Sequence, residues 1–217
     1  GYLVYVLGIA WESPASDVIA CSGHPVILVD DLYGGSGEFI RALSRAKREK
    51  LPVIGVASSN FKDVVEDARL FEVIRAMKEA KILDITDKDI TDYCNKIEEI
   101  FGSQVIKMSS DELNAYYEKA DEEEAERWAD KWMNEALKVV EPSRDEIVRS
   151  AKMYLAIKKA MKDKGADAVT IDCLAFLYKD KLPAYPCLAL FQLNNEGSTG
   201  VCEADLDSTV TQLLMRY

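Results

Sequence analysis

The side chains best able to do chemistry crowd toward the end of this 217-residue chain. Asp172, Cys173 and Cys187 lead into Asn194-Asn195-Glu196-Gly197. Cys202-Glu203-Ala204-Asp205-Leu206-Asp207-Ser208-Thr209 follows, where an apolar helical pattern through Val210, Leu213 and Leu214 begins. Glu203 and Asp207 stand four apart with Asp205 between them. An acid in the first turn of a helix is favoured by the positive end of the helix dipole, so capping accounts for one of the three. Val201 and Leu206 would lower the dielectric around the others, and an unpaired carboxylate there takes up a proton or a cation. Carboxylate oxygens suit hard divalent ions such as Mg²⁺ or Mn²⁺, and carboxylates also serve as general acids and bases.

A second polar cluster lies far upstream, in Asp30-Asp31-Leu32-Tyr33-Gly34-Gly35-Ser36-Gly37. A glycine-rich loop ahead of a helix can offer backbone N–H groups to a polar ligand, which puts Asp31 and Tyr33 forward as substrate-binding residues. It equally reads as a flexible strand-to-helix turn, because it has neither G-x-G-x-x-G spacing nor the Lys-Ser/Thr of a phosphate loop. Ser58-Ser59-Asn60 is expected to be a helix cap. The single histidine, His24, sits between Gly23 and Pro25 and is expected to be a surface residue, so Ser-His-Asp chemistry has a poor setting. Cys21, Cys94, Cys173, Cys187 and Cys202 are odd in number, widely spaced and free of C-x-x-C, and are read as buried reduced thiols. The run Asp121-Glu122-Glu123-Glu124 is expected to be a solvated face, and Trp128 and Trp132, four apart, to pack.

Two α/β sets of elements must position these groups. Short apolar runs alternate with stretches of helical period, the pattern of βα units and a mostly parallel sheet. Strands are expected at 1–8, 25–31, 51–57, 81–86, 104–108 and 166–173, with a fourth strand possible in the second set. Helices are expected at 38–50, 62–79, 89–101 and 144–164, with a charged helical region from 109. The apolar run from Gly1 reaches Ala10. The expected fold class is α/β, with two doubly wound, mostly parallel, Rossmann-like domains at 1–80 and 81–217. Lys and Arg number 27 against 38 Asp and Glu, a net charge of −11, which opposes binding to a phosphate backbone. Nucleic acid is therefore not an expected partner. No apolar run approaches the roughly 20 residues that span a bilayer, so no membrane-spanning helix is expected.

The residues from Asp172-Cys173-Leu174, Pro183-Ala184-Tyr185-Pro186-Cys187-Leu188-Ala189-Leu190, Leu193 to Gly197, and Cys202 to Thr209 resemble the central region of the L-fucose isomerase and L-arabinose isomerase superfamily. They are most similar to its L-fucose isomerase-like branch, and 25–31, 33–37 and 141–143 share the resemblance. It implies two α/β domains followed by a β-rich domain, and conversion of an aldose to a ketose with a divalent metal, commonly Mn²⁺. Glu203 matches the family's first metal-binding acid, in a Glu-x-Asp motif whose Asp is Asp205. The implied reaction moves a proton between C1 and C2 through an enediol. Asn194, Asn195 and Glu196 are then expected beside the sugar. The family's other metal ligands lie later than this motif, so the resemblance implies a central portion of a longer protein. Such a portion would lack part of its first domain, have its remaining ligands expected beyond Tyr217, and show little activity alone. A small sugar substrate, a homo-oligomer and a cytoplasmic location are also implied. The competing expectation is a sugar-binding module that does not transform its ligand.

Overall fold

A computed structural model describes residues 1–8 and 14–217. Ile9 and Ala10, the end of the first apolar run, lie outside the described residues. The chain is an α/β protein with two parallel sheets, in two compact units, Gly1–Arg75 and Ala76–Tyr217.

The first unit begins with β1 (Tyr2–Val6), α1 (Pro14–Ser22), β2 (Val26–Asp30) and α2 (Ser36–Arg48), and continues through β3 (Val53–Ala57) and α3 (Phe61–Ala68) into α4 (Leu70–Glu79). Its sheet has the order β1-β2-β3, all parallel, with Tyr2 opposite Val26 and Val26 opposite Val53. β2 is buried along its whole length. This is why it reads as an unbroken apolar run rather than an alternating one. Val26 and Leu28 pack with Phe39, Ala42 and Ala46 of α2, whereas Ile27 and Val29 pack with Val56, Val64 and Phe71. Ordered burial on both faces follows from the period of two along the strand.

The expected helix over 62–79 is interrupted at Arg69, whose N–H donates to Glu66 O three residues back at 3.1 Å. Its backbone stays right-handed (φ −62°), so the interruption is a tightened turn between two helices. α1 has no counterpart among the expected elements.

The second unit runs β4 (Lys81–Ile85), α5 (Thr91–Phe101), β5 (Gln104–Met108), α6 (Ser110–Glu118), α7 (Glu122–Glu135) and α8 (Arg144–Lys164). It continues through β6 (Ala168–Ile171), α9 (Cys173–Leu177), α10 (Cys187–Asn195), β7 (Thr199–Cys202) and α11 (Leu206–Arg216). The four strands are parallel in the order β5-β4-β6-β7. The chain therefore steps to one side of β4 for β5 and returns to the other side for β6. Open parallel sheets bind ligands outside the carboxyl ends of the strands where the order reverses in this way.

One face of this sheet presents Leu83, Ile85, Met108, Val169 and Ile171 to Met153, Tyr154, Ile157 and Met161 of α8. α8 opens on a capping box, with Ser143 Oγ accepting from Glu146 N at 3.3 Å and Ser143 N donating to Glu146 Oε2 at 2.7 Å. It ends at Gly165, whose φ of 63° suits glycine at that position. Trp128 and Trp132 of α7 stack edge-on against Tyr154 at 4.8 and 5.9 Å between ring centres, so both pack. Asp121 caps α7 and Glu122, Glu123 and Glu124 fill its first turn, which accounts for the acidic run as a helix start. No helix among the described residues is long and apolar enough to cross a membrane.

The expectation of buried thiols needs correction. Only Cys173 is buried, Cys94 is intermediate, and Cys21, Cys187 and Cys202 are exposed. Cys202 ends the edge strand β7, and Cys187 opens α10 directly after Pro186, positions that leave each with an open side.

Candidate functional site at the carboxyl edge of the four-stranded sheet

β4 leaves the sheet through Thr86, Asp87 and Lys88, and β6 leaves it through Asp172. Because β4 and β6 are neighbours, these residues meet at the point where the strand order reverses. Lys88 Nζ lies 2.8 Å from Asp172 Oδ2, and the Asp172 side chain is only 6% exposed. Asp87 accepts from Ser110 N and Ser110 Oγ, both at 3.0 Å, and forms an ion pair with Lys181. Those donors, Lys181 foremost, hold the Asp87 carboxyl down at about 2. Between the two pairs lies a cleft of ≈ 90 Å³ floored by Ala175 and Phe176, with Lys179 at its margin.

Beneath this edge Asp84 occupies the middle of β4, 1% exposed, and neither of its carboxylate oxygens has a hydrogen-bond partner among the described residues. In register it faces Lys107 on β5 and Thr170 on β6, and the buried Thr170 Oγ1 is also without a partner. Burial, reinforced by the negative charge of Asp172, pushes the Asp84 carboxyl up to about 7, against the opposing pull of Lys107 and Lys88. A carboxyl poised near neutrality beside a second, lysine-paired one is a pairing of environments suited to holding and moving a proton. No sequence expectation named Asp84, Asp87, Lys88 or Lys181. The available signal was an acid set between Leu83 and Ile85 in a strand with two buried faces.

β7 contributes the expected residues Glu203 and Asp205. Glu203 and Ala204 both adopt left-handed backbone, at φ 65° and 52°. Such a pair is costly for residues with a Cβ, and it turns the chain sharply from strand to helix. Ala204 N ties the turn back to Ile171 O at 2.9 Å. Asp205 is the N-cap of α11 and accepts from Ser208 N at 2.9 Å and Ser208 Oγ at 2.5 Å, which lower its pKa. Its carboxylate is thus committed to the helix start. Glu203 is exposed at the outer side of the turn and has no partner among the described residues. Next to it, Cys202 Sγ lies 3.0 Å from Cys173 Sγ at the mouth of β6. Burial, then the Cys173 thiol, pushes the Cys202 thiol up to about 12. On α5 the Tyr93 hydroxyl donates to Asp207, and that bond raises Tyr93 to about 12.

The structure does not bring Asn194, Asn195 and Glu196 to this edge. They end α10, which leads into the amino end of β7, whereas Glu203 leaves its carboxyl end. A strand of that length separates them by roughly 13 Å. Asn194 braces the strand start, donating to Gly200 O at 2.8 Å and accepting from Gly200 N at 3.1 Å. Glu196 accepts from Tyr154 OH at 2.5 Å, Lys158 Nζ at 2.8 Å and Gln192 Nε2 at 3.1 Å. Burial works against its ionisation, yet those donors keep its pKa below the ordinary value. Asn195 is exposed.

Asp31 and Tyr33 belong to the first unit. Asp31 Oδ1 accepts from Tyr33 N at 3.1 Å and Asp30 Oδ1 from Leu32 N at 3.0 Å, so the two acids build the turn after β2. The Tyr33 ring is exposed. Gly35 is required by packing: a Cβ there would lie 2.0 Å from Val6 O. Asn60 caps α3 through Lys62 N at 3.2 Å, and His24 is exposed with its ring 5.6 Å from that of Tyr2.

A larger cleft of ≈ 410 Å³ opens beside the first turns of α8, lined by Arg149, Ser150, Asp180, Leu182, Tyr185 and Leu188 among others. Its size and its mixture of apolar wall and polar groups fit a small polar organic ligand. No protein-family model matches the chain, and the curated proteins hold no significant match to it.

Proposed function

We propose that the chain belongs to a sugar-handling protein of the L-fucose isomerase-like kind, built on doubly wound sheets, with the carboxyl edge of the four-stranded sheet facing the sugar. The observation that supports this most directly is Glu203, an uncommitted carboxylate held outward on a left-handed turn at a strand's carboxyl end. A free acid at a strand's carboxyl end is available to a ligand, whereas Asp205 is already bonded to Ser208. In this reading Glu203 removes the proton from C2 of an aldose and returns it to C1, while the hydroxyl protons exchange across the enediol to leave a ketose. Asp205 fixes the turn that aims Glu203. The proposed setting is a cytoplasmic homo-oligomer.

A divalent metal such as Mn²⁺ or Mg²⁺ is the cofactor the resemblance implies, with Glu203 as ligand. The donor set does not fit it: among the described residues no three His, Cys, Asp or Glu side chains converge to hold an ion. Glu203 would supply one oxygen, and the nearest acid is spent on Ser208. No step above is therefore routed through a metal.

Ketose formation by the full-length protein from L-fucose, L-arabinose and related aldoses, with and without Mn²⁺, separates the isomerase from a module that only binds sugar. Turnover abolished by Glu203→Gln with sugar binding retained supports the isomerase. Sugar binding with no turnover under either condition identifies the binding module, and turnover indifferent to Glu203→Gln removes Glu203 from the chemistry.

A further inference from the structure

We infer that Cys173 and Cys202 form an oxidisable dithiol, a covalent modification site that closes to a disulfide when a hydroperoxide reaches it. The two sulfurs lie 3.0 Å apart, although the residues are on different strands' ends and 29 positions apart in sequence. A disulfide needs them at about 2.05 Å, so an approach of about 1 Å closes the bond. The backbone on either side is already held in place: Asp172 N donates to Ile85 O at 2.9 Å, and Ala204 N donates to Ile171 O at 2.9 Å. One thiol of the pair is buried and the other exposed. That asymmetry assigns the roles.

Cys202 is the thiol of the pair that a peroxide can reach, and its thiolate form attacks; because burial beside Cys173 keeps it largely protonated, the reaction is slow and takes excess peroxide. The Cys202 sulfur bonds to one oxygen, the O–O bond breaks, and the second oxygen leaves with the thiol proton, as water from hydrogen peroxide or as an alcohol from an organic hydroperoxide, giving a sulfenic acid at Cys202. Cys173 then attacks the Cys202 sulfur, the S–O bond breaks, and the departing hydroxide takes the Cys173 proton to become water. Two thiols are oxidised to one disulfide and one hydroperoxide is reduced. Protection from further oxidation follows from the resolving sulfur being in contact with the attacked one. The bond would tie the start of α9 to the turn after β7, and so immobilise both Asp172 and Glu203, which flank the two cysteines. The inference stands on the sulfur geometry and does not depend on the isomerase reading.

The full chain treated with excess hydrogen peroxide should fall by two from its five free thiols and become about 2 Da lighter. Peptide mapping should show Cys173 linked to Cys202, dithiothreitol should reverse the change, and the oxidised protein should melt at a higher temperature. Cys202→Ser, at an exposed position, should abolish the linkage, and Cys187→Ser should leave it intact. Oxygen adducts on Cys202 without a cross-link, a link from Cys202 to Cys187, or five unchanged thiols under peroxide would each overturn the inference.

Discussion

Asp84 makes the stability of the second unit depend on pH in a direction opposite to that of most carboxylates. Its pKa rises from 3.8 in the unfolded chain to about 7 when buried in β4. Below pH 3.8 both states hold the proton and the group costs nothing. As pH rises the unfolded state releases its proton first, so stability falls progressively until pH passes about 7, above which both states are ionised. Over that span the loss is on the order of 4 kcal/mol, of which roughly 2–3 kcal/mol falls between pH 5 and pH 8. Asp84→Asn keeps the shape and removes the charge. Its stability relative to the wild type should therefore improve by that amount on going from pH 5 to pH 8. Urea unfolding followed by the fluorescence of Trp128 and Trp132, which lie in the same unit, reads this directly. With an m-value of about 2 kcal/mol/M, the relative midpoint should move by about 1 M. Parallel stability profiles for the two proteins across this range would show that Asp84 is ionised or solvated in the folded state, and the reasoning would fail.

Two further outcomes test the assignments around the sheet edges. Gly35→Ala forces a Cβ to 2.0 Å from Val6 O, backbone that cannot rotate away, and should destabilise the first unit by about 1–3 kcal/mol or more, seen as faster limited proteolysis of residues 1–75. Glu196→Gln weakens three hydrogen bonds, one from a lysine, and should cost about 1–2 kcal/mol in thermal or urea unfolding. It should also leave sugar affinity unchanged, and a selective loss of sugar binding would return Glu196 to the site.

Elements bounded by strong local chemistry were legible in the sequence. β5 and α8 coincide with their expected limits because Gly102, Ser143 and Gly165 mark where the backbone must turn. β2 was legible because a central parallel strand has no solvent face to interrupt its apolar run. α10 was not, because its apolar residues do not fall on one stripe: Leu188 and Phe191 are exposed while Ala189, Leu190 and Leu193 are buried. β7 is four residues long and contains a glycine, too little for a period to register. The tightening at Arg69 involves neither glycine nor proline, so nothing local announces it.

The same distinction separates the parts of the site. Asp205 was legible as a helix cap because capping is a local relation, fixed by the spacing to Ser208, whereas Glu203 was singled out by the resemblance. Asn194 to Glu196 were drawn to them by closeness in sequence, and β7 runs between the two groups. The pairs Lys88–Asp172 and Lys181–Asp87 depend on which strand lies beside β4, a relation no local pattern encodes. Asp84 falls between these cases. An acid in a strand buried on both faces has no surface explanation, so its burial, and hence a raised pKa, was inferable from the apolar residues around it. The contribution of Asp172 was not, because it exists only once β6 returns to the side of β4 away from β5. The strand order that opens the cleft above Asp84 is therefore also what adds the second charge pressing on it. A change in the Asp84 titration on replacing Asp172 would report that topology from solution.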